Sequence, residues 1–217
     1  MKMISKILNK LSQNRPVFHS EADFQHALAW ELHRLDSGGS IRLEQRKTIN
    51  HKNAYIDIIA RVKNKWLCLE LKYKTRRLIA DVKREHFELA AHGAQDIGAW
   101  MFWEDVSRLE QLSSSDRSIS HAYAISITND FSYWTDSRRP GNAAAFRLYD
   151  GRKVAGELKW GPRTGDGTKK GHEAAITLAG EYELKWMNFS EINDERDGRL
   201  RNGQFRYLLL EIRKPRP

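Results

Sequence analysis

Residues 55–74, YIDIIARVKNKWLCLELKYK, form two apolar runs rich in β-branched and aromatic residues, joined by the polar break Lys63-Asn64-Lys65. This pattern predicts an antiparallel hairpin. Side chains alternate along a strand with period two. Ile56, Ile58, Ala60 and Val62 are thus expected on one face of the first strand, and Tyr55, Asp57, Ile59 and Arg61 on the other. On the second strand Leu67, Leu69 and Leu71 share a face, and Cys68, Glu70 and Lys72 share its opposite. A turn centred near Asn64 sets Asp57 across from Glu70, within side-chain reach.

Two carboxylates this close repel each other unless positive charge lies between them. Lys72 could supply it, and so could a divalent cation. Oxygen-only ligation by carboxylates, with water completing the shell, suits Mg²⁺. Such a metal polarises a phosphate and acidifies a bound water, while a lysine beside it orients the water or neutralises developing charge. The competing reading of the acid-x-Lys triplet is a solvated ion pair on an exposed sheet face. Against it, residues 67–71 are almost wholly apolar around Glu70, as expected of a central strand, where an unpaired charge is costly.

The arrangement Asp57-(x12)-Glu70-Leu71-Lys72 resembles the PD-(D/E)XK nuclease superfamily, which includes restriction endonucleases, exonucleases and junction resolvases. The proline that often precedes the first acid is replaced by Ile56. The resemblance implies Asp57 and Glu70 as metal ligands, the Leu71 carbonyl as a further ligand and Lys72 as the catalytic lysine, with Mg²⁺ (or Mn²⁺) as cofactor. It implies an α/β restriction-endonuclease-like domain spanning 1–217, a mixed sheet flanked by helices. The nuclease core would cover about 15–135 and a β-rich extension about 140–217. The superfamily's first helix often brings a glutamate to the metal. Here Ser20-Glu21-x-x-Phe24-Gln25 opens a helix expected over 20–35, making Glu21 the third acid. Dipole stabilisation at a helix N-terminus is the simpler role for Glu21.

Net charge is +9 and the pI near 9.6, which favours polyanionic partners, nucleic acid first. The densest basic stretch, Lys74, Arg76, Arg77, Lys83 and Arg84, follows Lys72 directly. It reads as a loop, solvated or in contact with phosphates. No apolar run reaches the length of a membrane span, and the N-terminus reads as a short amphipathic helix rather than a signal peptide. The single cysteine, Cys68, excludes an internal disulfide and a thiolate zinc cluster, and reads as a buried structural thiol. These features favour the cytoplasm.

A strand is expected over 41–48, a long helix over 85–112 with a kink at Gly93 or Gly98, and a loop over 113–116. Strands are expected over 121–128, 174–186 and 205–212, with a second hairpin over 146–160 around Asp150-Gly151. The long helix resembles one in a group of bacterial restriction-endonuclease-like proteins through Gln95, Asp96, Trp100, Asp105, Arg108, Leu109 and Glu110. That resemblance implies Gln95 near the active site; a buried amide capping backbone is the alternative. No HExxH, P-loop or nucleophile elbow occurs. The resemblance therefore implies a Mg²⁺-dependent nuclease acting on DNA, with a homodimer needed if both strands are cut. The alternative is a non-catalytic nucleic-acid-binding protein on the same fold.

Overall fold

The computed structural model describes residues 2–138, 141–194 and 198–212. Three consecutive strands form an antiparallel meander: β1 (Ser40–Ile49), β2 (Lys52–Val62) and β3 (Lys65–Lys74). Two-residue turns join them, Asn50-His51 and Lys63-Asn64, and all four residues have positive φ. Consecutive left-handed residues match the right-handed twist of a hairpin. A third turn of this kind, Lys83-Arg84, joins β4 (Leu78–Val82) to β5 (Glu85–Leu89).

The helix α3 (Gln95–Ser115) then crosses back, so that β6 (Ile119–Thr128) lies parallel to β3. The strands β7 (Lys153–Leu158) and β8 (Ile176–Glu183) pair as a separate hairpin. The chain returns to the main sheet through β9 (Trp186–Asp194) and β10 (Gly198–Ile212). The result is a six-stranded mixed sheet of order β1-β2-β3-β6-β10-β9 in a mixed α/β protein.

Each face of the sheet has its own apolar layer. One is covered by α1 (Lys2–Asn14), α2 (Glu21–Leu35) and the β4–β5 hairpin, which meet Ile58, Leu69, Leu71 and Ile125. The other is covered by α3 and the β7–β8 hairpin, which meet Cys68, Ala122, Ala124 and Leu208. Ser20 caps α2 as expected, its hydroxyl accepting the Asp23 N–H at 3.1 Å.

Several expectations are corrected. Residues 85–89 are strand, not the start of the long helix. Phe87 and Leu89 point inward while Glu85, His86 and Glu88 are exposed, a period of two across a turn that carries Lys-Arg rather than glycine. The helix starts at Gln95 after Ala94 in the left-handed conformation, and Ser113–Ser115 belong to its last turn. Gly93 lies outside it. Gly98 lies inside it, because a Cβ there would stand 2.2 Å from the Tyr133 hydroxyl oxygen.

The expected hairpin over 146–160 does not form. Phe146 ends a short 3₁₀ turn, and β7 pairs with β8 instead. Asp150-Gly151 does turn, but against the corner before β9: Gly151 N–H donates to Leu184 O and Trp186 N–H to the Asp150 carboxylate, both at 2.8 Å. The region 174–186 holds all of β8 and the first residue of β9 rather than one strand. Arg139, Pro140 and the tail over 213–217 lie outside the described residues.

Glu110 of α3 anchors the β7–β8 hairpin. Its buried carboxylate accepts from Ala179 N–H (2.8 Å), Gly180 N–H (2.7 Å) and the Tyr182 hydroxyl (2.6 Å). Hydrogen bonds to a charged group are worth about 1.5–3 kcal/mol each, and their loss here strands two backbone donors. Glu110→Ala should therefore cost roughly 3 kcal/mol in urea unfolding, with early loss of amide protection at Ala179 and Gly180.

Candidate active site

The meander is interrupted where the acids sit. Between β1 and β2 the pairs Leu43↔Ile58 and Gln45↔Ile56 flank Glu44 and Asp57, which do not pair, and Glu44 has φ 51°. The faces switch at this point. Ile56 packs against the α3 layer and Ile58 against the α2 layer, so the regular alternation expected over 55–62 does not hold at Asp57. Gln25 of α2 fills the gap: its amide donates to the Asp57 carbonyl and to the Glu44 carboxylate, both at 2.7 Å.

The β2–β3 ladder runs from Val62↔Lys65 to Ile58↔Leu69 and stops one pair short of Asp57 and Glu70. The register matches the expected one, but the strands part there while β3 continues along β6 to Lys74. On the edge of β3 that β2 leaves, two backbone donors lose a strand partner. The Asp57 carboxylate accepts from Leu71 N–H at 2.6 Å. The Glu21 carboxylate accepts from Tyr73 N–H at 2.7 Å. Glu21 and Gln25 stand one helical turn apart, so α2 delivers both from one face. Glu21, expected as the third acid of the site, is placed here as a backbone acceptor at the edge of β3.

Glu70 and Lys72 point to the other side, against α3. Arg108 Nη1 lies 2.8 Å from Glu70 Oε1 and 3.1 Å from Asp105 Oδ1. Lys72 pairs with Asp105, and its ammonium is 3.1 Å from the Leu71 carbonyl oxygen. Glu70, Lys72 and Asp105 are 2%, 9% and 4% exposed, so these are desolvated charges. Four carboxylates (Glu21, Asp57, Glu70, Asp105) surround two cations (Lys72, Arg108), an excess of two negative charges.

Burial, more than that excess, sets the electrostatics. Burial pushes Asp57 up to about 6, against the pull of Lys72 and the Leu71 N–H. Burial, with Asp105 and Asp57 nearby, holds Glu70 well above the usual carboxylate range. Burial works against the Lys72 ammonium, but Asp105 and Glu21 outweigh it and hold its pKa above the ordinary lysine value. Lys72 is therefore a charged donor at neutral pH, suited to orienting or neutralising an anion and not to removing a proton. Among the described residues no group of three or more His, Cys, Asp or Glu side chains converges closely enough to hold a metal, since Glu70 is held by Arg108. The donor chemistry nevertheless fits a hard divalent cation: buried or half-buried oxygens only, and a shortfall of two positive charges.

The other expected residues lie around this centre. Gln95 donates to Asp130 at 3.0 Å and bonds no member of the Asp57–Glu70–Lys72 group. Arg76 pairs with Asp130 at 2.9 Å, and Lys83 donates to the last carbonyls of α1, Gln13 and Asn14. Lys74 is half-buried, while Arg77 and Arg84 are exposed. The basic stretch is thus split: Lys74 ends β3, Arg76 and Arg77 lie in the connection to β4, and Lys83 and Arg84 form the β4–β5 turn, where a loop was expected throughout. Gln25, Asp105 and Arg108 appeared in the sequence only as motif matches, with no role at the site assigned to them. Their signals were present: Gln25 follows Glu21 by four residues, and Asp105 and Arg108 are spaced to share one face of α3.

A cavity of about 580 Å³ adjoins the cluster, between the β1–β2 turn, α3 and the start of β8. Tyr55, Trp100, Glu104, Arg108 and Gln111 are among its walls, so Arg108 belongs to both cluster and cavity.

No family model matches the chain, and neither does any curated protein or solved structure.

In the unfolded chain Asp57 should titrate near 3.8, and in the folded one near 6. Folding without metal is thus penalised as pH rises through this window, and fully so above it. Asp57→Asn keeps an acceptor for Leu71 N–H but carries no charge. It should stabilise the chelator-treated protein by about 1–2 kcal/mol at pH 7.5, after allowing for partial solvation, with the gain fading between pH 6 and pH 4. Urea unfolding at three pH values measures this; a destabilised variant at pH 7.5 would show that Lys72 overcompensates burial.

Proposed function

We propose that this chain is a metal-dependent nuclease with a restriction-endonuclease-like fold, hydrolysing phosphodiester bonds, most readily in DNA. The observation that carries this reading is the desolvated cluster two positive charges short, placed where β2 and β3 part. Asp57, Glu70, the Leu71 carbonyl and Glu21 would hold Mg²⁺ or Mn²⁺. When bound, the cation would polarise the scissile phosphate and acidify a water. Lys72, kept charged by Asp105, would neutralise charge building on the phosphate. Gln25 holds the Asp57 backbone and so fixes where that carboxylate stands.

The parted edge of β3 leads into the basic stretch. Arg77, Lys83 and Arg84 are the exposed cations there, and the half-buried Lys74 and Arg76 add to the local positive field. These five would contact phosphates in a salt-sensitive way. Cutting both strands of a duplex would take two copies of the chain. Cys68 is buried, with its thiol pushed up to about 12 by burial, so it is inert and fits a cytoplasmic protein. Among the described residues no helix is long and apolar enough to cross a membrane.

A second reading has its own support. The chain of ion pairs Lys72–Asp105–Arg108–Glu70 gives each member a partner without metal, as a non-catalytic nucleic-acid-binding protein would need. Metal dependence separates the two. On the nuclease reading, calorimetry with Mg²⁺ or Mn²⁺ shows binding to the wild type that Asp57→Ala abolishes. Glu70→Gln, which still accepts from Arg108, keeps its fold and lowers cleavage by on the order of 100-fold or more. A protein that holds DNA equally well in chelator and never nicks it is the binder.

A further inference from the structure

Arg108 occupies a position that a metal-binding Glu70 cannot share. Its Nη1 is 2.8 Å from Glu70 Oε1 and also serves Asp105 at 3.1 Å. Glu70 is 2% exposed, and Arg108 is the cation in direct contact with it. Arg108 differs from Lys72 in having somewhere to go. Its side chain is 23% exposed against 11% for Lys72, and it forms part of the wall of the 580 Å³ cavity. Glu104, one turn back on α3 and 46% exposed, lies 3.5 Å from Nη2 on the cavity side. A guanidinium leaving Glu70 would therefore find a second carboxylate and solvent within a small rotation.

We propose that Arg108 is an internal counterion for Glu70 that a divalent cation displaces, and that the released guanidinium then serves the phosphate of a nucleotide lying in the adjoining cavity. The inference rests on the metal-dependent reading above and deepens it. It makes metal binding and substrate binding mutually reinforcing, since each favours the same displaced arrangement of Arg108. The guanidinium fork suits a phosphate as well as it suits a carboxylate, so the exchange keeps its hydrogen bonds. Arg108 is a positioning residue for Glu70 before exchange and a substrate contact after it.

The test uses Mn²⁺ alone, by calorimetry and thermal melting, on wild type and Arg108→Gln. Glutamine removes the competing charge but still donates to Glu70. The expected result is Mn²⁺ binding about tenfold tighter in Arg108→Gln, and a larger rise in melting temperature on adding Mn²⁺. With Mn²⁺ present, the variant should bind a short oligonucleotide more weakly, with a salt slope smaller by about one phosphate contact. A clamp that only supports the fold would move metal affinity the other way, downward. Unchanged or weaker Mn²⁺ binding in the variant, with a wild type that binds, overturns the inference and leaves the nuclease reading standing. Absence of Mn²⁺ binding in both proteins defeats the nuclease reading and the inference with it. If Arg108→Gln is unfolded without metal, Mn²⁺-induced folding seen by circular dichroism supports the exchange. Failing that, Arg108→Lys decides by the same comparison, with a smaller gain in affinity expected because the charge is kept.

Discussion

The parting of β2 from β3 beyond Ile58↔Leu69 is the constraint from which the site is built. A central strand that keeps one neighbour and loses the other exposes backbone donors that need partners inside the protein. Carboxylates supply them here, Asp57 to Leu71 and Glu21 to Tyr73. An anion at such a position is both a backbone cap and a buried charge. The structure therefore collects negative charge along one strand edge for reasons of hydrogen bonding. The interruption at Glu44 and Asp57, held open by Gln25, turns the Asp57 side chain to that edge.

Helix α3 supplies the balancing half. It crosses between β3 and β6 with one face packed on the sheet, and that placement brings Asp105 and Arg108 over Glu70 and Lys72. Farther along the same helix Glu110 bonds three donors of β8 and its end, so the β7–β8 hairpin is fixed relative to the charge cluster. The cavity beside the cluster exists because these elements meet there: the β1–β2 turn, α3 and the start of β8. One helix thus ties the ionic centre, the accessory hairpin and the space between them into one unit.

Some of this was legible residue by residue. The hairpin over 55–74, its register and the cap of α2 follow from alternation and local hydrogen-bonding rules, which depend only on neighbours in the chain. The hairpin over 78–89 was hidden because its turn is Lys83-Arg84, two long side chains in a conformation that glycine or asparagine usually signals. Asp150-Gly151 misled in the opposite way. It is a strong turn signal, and it does turn, but β7 found its partner beyond a long connection in β8. Short-range rules identify a turn and are silent on which strand lies across from the one that follows it.

The sequence by itself determined that Asp57, Glu70 and Lys72 lie at one end of a hairpin, since two strands joined by a two-residue turn have their register set by that turn. It also determined that Glu21 opens the first turn of a helix. Only the tertiary structure decided what charge each of these groups faces. Asp105 and Arg108 come from 33 and more residues away, and the depth at which Glu70 lies depends on the helix and sheet that enclose it. Desolvation is a property of all the packed surroundings of a group, so neither the upward push on Asp57 and Glu70 nor the hold of Arg108 on Glu70 could be read from the spacing of residues along the chain.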